Sequence, residues 1–248
     1  MIIASFQHYE LSHILAFAMT VVIAILMVRF MRSDAPEKVK TRVRYIFGGL
    51  LIFAVSMDTV LTFLRWGSGD LGWSIFWNSA LPLYLCDVAS IVAAVALFTK
   101  NYKFVEVAYL WGLAGTAQGL ITPTLAYDWN TLEYYNFFLQ HGGVPIAAVT
   151  LVWGIGIVPR KGAFKRIIIW SWAYMAIVIS INFLIKQNYG FLSGKPDTPT
   201  MLDYLGPYPY YLISLQAIAF SFYYVLLKVA PKQEQAQKGD DCFQSPPA

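Results

Sequence analysis

One cysteine and one histidine in this sequence could act together as a nucleophile and its base. Cys86 lies in the segment LPLYLCDVAS, and His141 lies in FFLQHGG at the start of an apolar stretch. A histidine that takes the proton of a thiol produces a thiolate, which attacks carbonyl carbon atoms. An imidazole is costly in an apolar environment, so its position points to a function when a partner is near. The pair predicts acyl-transfer chemistry if the fold brings the two side chains together.

Both residue types also have simpler interpretations. A lone buried cysteine usually packs as a small apolar side chain. The second cysteine, Cys242, lies in the C-terminal tail, so we expect no disulfide with Cys86, and no Cys/His spacing indicates a metal site. Pro82 precedes Cys86 by one helical turn and is expected to kink or open the helix. Such a break could admit a substrate carbonyl beside the thiol, or it could only bend the helix.

The composition places these residues in a membrane protein. Of the 248 residues, 58% are hydrophobic and 13% are charged, whereas about a quarter of the residues in soluble domains are charged. Seven apolar stretches of about 20 residues are long enough to cross a bilayer. They cover residues 11–28, 45–64, 75–98, 105–122, 137–158, 167–185 and 208–227. The sequence therefore predicts an all-α integral membrane fold with seven transmembrane helices in one domain, residues 1–230.

The distribution of Lys and Arg predicts the orientation. Most of the 18 basic residues fall in the first, third and fifth connections and in the tail, and basic residues in short loops stay on the cytoplasmic side. The N-terminus is therefore expected outside and the C-terminus in the cytoplasm. Residues 231–248 are polar and are expected to form a disordered cytoplasmic tail. The net charge of +4 implies no nucleic-acid partner, because the cytoplasmic rim accounts for it.

With this topology, the polar residues of the spans share one layer near the outer side. At about 1.5 Å per residue, His141 lies roughly 6 Å and Cys86 roughly 10 Å below the outer ends of their spans. Four further polar residues lie in the outer halves of other spans, namely Asp58, Gln118, Asn182 and Gln216. The clustering predicts a polar cavity open toward the outer leaflet. Alternatively, each polar residue hydrogen-bonds a neighbouring helix and serves packing alone.

Five motifs, in this order and spacing, resemble those of the YwaF-like bacterial integral membrane proteins: LPLYLC, WGLAGTAQGLITP, FFLQHGG, INFLIKQNYGFLSGKP and LGPYPYYLISLQ. The resemblance covers nearly the whole chain. These proteins look like relatives of an animal family of transmembrane acyltransferases that remodel ether phospholipids. They are more remotely similar to androgen-induced membrane hydrolases of fatty acid esters, which use a threonine and a histidine. The resemblance implies Cys86 as nucleophile, His141 as base and the bacterial cytoplasmic membrane as the location.

The leading hypothesis is a membrane lipid acyltransferase or lipid-ester hydrolase working in the outer half of the bilayer. Membrane lipids would supply the acyl group, a lysolipid or water would accept it, and no cofactor is expected. Gln118, Asn182 and Gln216 could hold the oxyanion or the headgroup, and Asp58 could orient His141.

Two alternatives from other classes remain, a small-solute transporter and a seven-helix ligand-binding sensor. No internal repeat of the inverted-repeat carriers is visible. The last span is free of Lys until Lys228 at its inner end, which argues against a retinal-type sensor. The sequence leaves the oligomeric state open.

Overall fold

The computed structural model describes residues 6–66, 73, 76–126, 128–196 and 201–232, and this part of the chain contains helices and loops without β-strands. Its α-helices are α1 (Leu11–Arg32), α2 (Glu37–Trp66), α3 (Leu85–Thr99), α4 (Tyr102–Trp111), α5 (Gln118–Ile121), α6 (Leu132–Val149), α7 (Ala163–Ile185) and α8 (Tyr210–Val229). Three wider π-helical turns accompany these helices. The turn Phe76–Ala80 precedes α3, Gly112–Thr116 lies between α4 and α5, and Thr150–Gly154 extends α6. Short 3-10 turns lie at Tyr189–Phe191 and Met201–Leu205. The prediction of an all-α fold is confirmed for these residues.

Five of the described helices are long and apolar enough to cross a membrane, namely α1, α2, α6 with its π turn, α7 and α8. The helix α3 is apolar but has 15 residues, so it is about 22 Å long, shorter than the roughly 30 Å hydrocarbon core. The segments α4 and α5 and the π turn between them follow one another over residues 102–121. The protein is therefore a multi-pass membrane protein, while the seven-span topology and its orientation stay predictions.

The helix α6 lies at the centre of the bundle. Four consecutive residues of α6 face four different helices: Gln140 faces α3, His141 faces α5, Gly142 faces α1 and Gly143 faces α2. Glycine allows the close approach of α1, because a Cβ at Gly142 would lie 2.7 Å from Thr20 Oγ1. More than half of the residues of α6 are buried, whereas in α8 Tyr211 and Tyr223 are the buried residues. The apolar surface of α8 is therefore left for lipid to cover.

Small side chains let α3 pack closely in this core. Ala89, Ala93 and Ala96 of α3 are fully buried, as are Ala108 of α4 and Ala147 of α6. Interfaces between membrane helices favour such residues, because they let the backbones approach and increase van der Waals contact. The tight packing of α3, α4 and α6 holds the first turn of α3 against the middle of α6.

One end of the bundle carries the basic residues and is called the basic end here, defined by Arg32, Lys100 and Arg160. Near it, Glu106 of α4 is buried and accepts hydrogen bonds from Arg160 Nε at 3.0 Å and Arg166 Nε at 2.8 Å. These charge-assisted bonds tie α4 to the loop before α7 and to α7 itself. Basic loops are retained in the cytoplasm, so the basic end is the predicted cytoplasmic end.

Candidate functional site

The backbone is interrupted at residues 81–84, directly before α3. The π turn Phe76–Ala80 ends on one side of the interruption, and α3 begins with Leu85 on the other. Pro82 explains the interruption, because proline lacks a backbone N–H and its ring clashes with the carbonyl one turn earlier. The prediction that Pro82 opens this helix is confirmed.

Two tyrosines satisfy the backbone of the interruption. The hydroxyl of Tyr174, on α7, donates to Leu83 O at 2.9 Å. The hydroxyl of Tyr189, in the turn after α7, accepts from Leu81 N at 3.2 Å and donates to Trp77 O at 2.9 Å. Non-helical backbone persists at membrane depth only where protein or water provides hydrogen-bond partners. The α7 helix and the turn after it therefore hold the interruption in place.

Cys86 lies in the first turn of α3 beside a buried carboxylate. The Cys86 thiol donates toward Asp87 Oδ1, with Sγ at 3.9 Å. The other oxygen, Asp87 Oδ2, accepts from Tyr84 N at 3.2 Å, which caps the helix. From α6, Gln140 Nε2 donates to Asp87 Oδ1 at 2.6 Å. Cys86 is half-buried, whereas Asp87 and Gln140 are buried. The thiol thus lies where α3 and α6 are joined by a hydrogen bond.

His141, the residue after Gln140, is held by its own helix and by α5. Its Nδ1 lies 3.1 Å from Phe137 O. A carbonyl oxygen only accepts, so Nδ1 carries the proton and Nε2 keeps its lone pair. The ring stacks on Phe137 with centroids 3.9 Å apart, and its edge lies against Gly119, where a Cβ would be 2.3 Å from Cδ2. The assigned tautomer leaves Nε2 able to accept a proton, as a general base requires.

Cys86 and His141 lie on neighbouring helices, and Gln140 connects their surroundings. Gln140 precedes His141 on α6 and bonds Asp87, which follows Cys86 on α3. Among the described residues, the His141 ring donates to Phe137 O and makes no hydrogen bond to the thiol. The helix α6 begins well before residue 137, so His141 lies about 13 Å from its start rather than roughly 6 Å. The roles of nucleophile and base stay predictions.

The second histidine of the bundle interior, His13, has a structural role. Its Nδ1 accepts from Tyr9 N at 3.0 Å, and its Nε2 donates to Leu120 O at 2.8 Å. Both ring nitrogens are therefore used by the backbone, and the ring ties α1 to α5. His141 differs from His13, because within the described residues the backbone uses one of its ring nitrogens, Nδ1.

Asn182 supports the interruption before α3 from a distance. Its amide Nδ2 donates to Tyr189 O and its Oδ1 accepts from Tyr189 N, both at 2.9 Å. The Asn182 side chain is buried, so both polar atoms gain the partners that burial requires. Asn182 thereby fixes the turn that carries the Tyr189 hydroxyl. Its predicted role as a substrate ligand stays a prediction.

The remaining candidates lie in three different settings. Gln216 of α8 accepts from Trp172 Nε1 at 3.0 Å and donates to Met175 Sδ, which joins α8 to α7. Gln118 is exposed at the start of α5. The side chain of Asp58 lies outside the described part of the structure. The contacts of Gln216 fit the packing interpretation, and the substrate roles of all three stay predictions.

Sequence reasoning missed three polar residues near the site. Gln140 and Asn136 are buried one turn apart on α6, and Asn136 Nδ2 donates to Ala54 O at 3.0 Å. Thr116 Oγ1, in the π turn before α5, is buried without a hydrogen-bond partner in the described part of the chain. The spacing of Asn136 and Gln140 and the place of Gln140 beside His141 were available signals. No comparable signal marks Thr116, because helical hydroxyls ordinarily bond their own backbone.

Two large cavities lie away from Cys86 and His141. A mainly apolar groove of ≈ 750 Å³ runs between α1, α2 and α6 and has Glu10 and Asp128 in its lining. A larger cavity of ≈ 1450 Å³ lies at the basic end. Neither is lined by Cys86 or His141. The polar cavity predicted on the outer side stays a prediction.

Comparisons with known proteins assign a family to the chain. Among curated proteins and among solved structures, no match was found. The model of the TMEM164 family matches residues 4–227, a range that includes Cys86, Asp87, Gln140 and His141. The match covers most of the 248 residues, and the protein belongs to the TMEM164 family.

Proposed function

We propose that the protein transfers acyl groups between membrane lipids, or hydrolyses a lipid ester, with Cys86 as the nucleophile. The TMEM164 family comprises membrane proteins that resemble ether-lipid acyltransferases. The chain also has several helices suited to a bilayer, so a lipid can reach it from the side. These findings support a lipid-related role, and the residues around Cys86 supply the proposed chemistry.

The observation that carries the proposal is the position of the Cys86 thiol, in the first turn of α3 and 3.9 Å from Asp87 Oδ1. The N-terminal end of a helix carries a partial positive charge, which favours a negatively charged sulfur. The negative carboxylate of Asp87 disfavours a negative charge on the sulfur. Tyr84 N and Gln140 Nε2 donate hydrogen bonds to this carboxylate, which disperse its charge and weaken the effect. Asp87 therefore orients the thiol, and a separate base removes its proton.

His141 is the proposed base. Its Nε2 takes the proton of Cys86, and the thiolate attacks the ester carbonyl carbon of a lipid. The ester C–O bond breaks, and His141 returns the proton to the departing lysolipid oxygen. In the second half of the reaction, His141 takes the proton of an acceptor hydroxyl, and the hydroxyl oxygen attacks the thioester carbonyl carbon. The C–S bond breaks, the sulfur leaves as a thiolate, and the thiolate recovers the proton from His141. With water as the acceptor, the same steps give hydrolysis.

The proton transfer requires Nε2 to come within hydrogen-bond reach of Sγ, directly or through one water molecule. The His141 ring lies against Phe137 and Gly119. Catalytic hydrogen bonds are often long in free enzymes and tighten in the complex with substrate. Thr116, one turn before Gly119, has a buried hydroxyl without a partner in the described chain. This hydroxyl is our candidate donor to the oxyanion, in addition to Gln118, Asn182 and Gln216.

The test of this proposal is selective labelling of one thiol. With Cys242→Ser, Cys86 is the remaining one of the two cysteines. A long-chain alkyl chloroacetamide, which reacts with thiolates, is expected to label Cys86 in the full-length protein in lipid nanodiscs. His141→Gln is expected to slow labelling by at least roughly 10-fold, because the general base is lost. Mass spectrometry of the intact protein over time gives the rate.

His8→Gln is the matched control for this experiment. The His8 ring is exposed, and its Nε2 donates to Pro123 O at 3.0 Å. Labelling at the parent rate is expected for this variant. Equal rates in the His8 and His141 variants would show that His141 does not activate Cys86, and the mechanism would have to be withdrawn.

A substitution at Gly119 tests the position of the imidazole. A Cβ added there would lie 2.3 Å from His141 Cδ2, so Gly119→Ala must displace the ring. Acyl transfer is expected to fall by roughly 10- to 100-fold, because the added methyl group takes the space beside the ring in which Nε2 turns toward Cys86, and small misplacements of catalytic groups are costly. Gly49→Ala, with nothing within 4 Å of the added Cβ, is the matched control and is expected to retain the parent rate. Full activity of both variants in a lipid acyl-exchange assay would contradict the proposed position of the base.

A further inference from the structure

The cavity at the basic end has no role in the proposed acyl transfer. Its volume is ≈ 1450 Å³, and it lies where α1, α3, α8 and the π turn after α6 end and where α2 begins. Basic side chains from these elements line it: Arg32, Lys40, Arg44, Lys100, Lys228 and Lys232. Two acidic residues, Asp34 and Glu37, also line it. The cavity therefore has a clear excess of positive charge.

Two of the basic residues satisfy helix ends. Arg32 Nε donates to Trp153 O at 2.6 Å, in the π turn after α6. Arg44 is buried, and its guanidinium donates to Phe98 O at 3.2 Å near the end of α3. Basic groups at helix C-termini compensate the negative end of the helix dipole. These two arginines are explained by the fold and form the fixed wall of the cavity.

The lysines of the cavity are not explained in this way. Lys40 pairs with Glu37 at 3.2 Å, on the first turns of α2. Lys100, Lys228 and Lys232 are exposed, and within the described chain no carboxylate or carbonyl pairs with their ammonium groups, although the Lys228 ammonium lies 5.2 Å from the centroid of the Tyr224 ring. Lys100 follows α3, whereas the other two lie at the end of α8 and just beyond it. Different helices thus direct like charges to one space, which gives the cavity a positive potential that attracts anions.

We propose that this cavity binds the phosphate groups of an anionic ligand at the predicted cytoplasmic face, and that the ligand is an anionic phospholipid. The cavity lies at the level of the helix ends, where headgroups lie in a bilayer. The helices α1 and α8 each bury two residues only, and their exposed apolar surface gives acyl chains a surface beside the cavity. Basic pockets between membrane helices on this side are typical headgroup sites. The proposal does not depend on the chemistry of Cys86.

The experiment compares two triple variants of the full-length protein. One carries Lys100→Gln, Lys228→Gln and Lys232→Gln in the cavity. The other carries Lys103→Gln, Lys161→Gln and Lys165→Gln, which remove the same charge from exposed positions of the basic end outside the cavity. Binding of phosphatidylglycerol is measured by titration into nanodiscs of phosphatidylcholine, and binding of inorganic pyrophosphate is measured in neutral detergent. A single elution peak in neutral detergent checks that each variant is folded.

The cavity variant is expected to bind phosphatidylglycerol roughly 100-fold more weakly than the parent, at roughly fivefold per lysine. The control variant is expected to lose less than tenfold. A selective loss of pyrophosphate binding alone would support the phosphate site with a soluble compound as its source. Equal losses in the two triple variants, or no loss in either, would overturn the proposal, because general surface charge would then account for all binding. If either triple variant fails to elute as one species, Lys100→Gln is compared with the single control Lys103→Gln; a loss of roughly fivefold confined to Lys100→Gln supports the site, and equal losses overturn it.

Discussion

Cys86→Ala is expected to lower acyl transfer by on the order of 1000-fold or more, because it removes the atom that forms the covalent intermediate. The measurement is the transfer of a labelled acyl chain from a phospholipid to a lysolipid by the full-length protein in vesicles. Cys86→Ser retains a hydroxyl, which is a weaker nucleophile at neutral pH, and is expected to retain a small part of the rate. Omitting the lysolipid and measuring labelled fatty acid distinguishes transfer from hydrolysis.

Cys242→Ser is the control for this prediction, because it changes the other cysteine of the chain. We expect this variant to keep the parent rate. If Cys86→Ala also kept that rate, Cys86 would be a packing residue, which is the simpler interpretation of a lone cysteine. Acyl transfer by any other nucleophile in the chain would then need a new explanation.

Asp87→Ala is expected to destabilise the protein by about 3 kcal/mol. The substitution removes the acceptor of Tyr84 N at the start of α3 and the acceptor of Gln140 Nε2. A helix cap contributes about 1 kcal/mol, and a hydrogen bond to a charged group contributes about 1.5–3 kcal/mol. Because Gln140 is buried, its amide is left without this partner in an apolar environment. Thermal unfolding in neutral detergent, followed by intrinsic fluorescence, measures the loss.

A double-mutant cycle separates the Asp87–Gln140 bond from the effect on the helix cap. The variants are Asp87→Ala, Gln140→Ala and the double variant, and the expected coupling is about 1–2 kcal/mol. Asp34→Ala, which removes an exposed carboxylate from the loop before α2, is the matched control and is expected to change stability little. If Asp87→Ala destabilised no more than Asp34→Ala, the bond between α3 and α6 would not be a stabilising one.

Hydropathy predicted the uninterrupted helices well and the interrupted ones poorly. Residues 11–28 and 167–185 fall within α1 and α7, and residues 208–227 nearly coincide with α8. The stretch 75–98 was predicted as one span that Pro82 kinks or opens, and the structure interrupts its helix so that α3 keeps 15 residues. Average hydropathy does not detect such an interruption, because the residues of an interrupted helix are still apolar. The hydroxyl of Tyr174 donates to Leu83 O within the interruption, and the two residues lie 91 positions apart in the sequence. Sequence periodicity carries no information at that separation.

The site was predicted in part, for reasons that differ between residues. Pro82 marked the opening beside Cys86, because a single residue type has a fixed effect on the backbone. The hydrogen bond between Asp87 and Gln140 was missed, because it depends on the rotation of α6 relative to α3 and not on local sequence. The substrate roles of Gln118, Asn182 and Gln216 rested on depth alone. Depth does not distinguish a side chain that faces a cavity from one that joins two helices, as Gln216 does.

The interruption before α3 has a consequence for the order in which the protein matures. Translation proceeds from the N-terminus, so Leu83 leaves the ribosome 91 residues ahead of Tyr174, which supplies its hydrogen-bond donor. A carbonyl without a donor is costly in hydrocarbon. We therefore expect residues 81–84 to stay in contact with water or with the insertion machinery until α7 has been synthesised. The surroundings of the Cys86 thiol are completed late in biogenesis, and a nascent chain that stops before α7 leaves them unfinished.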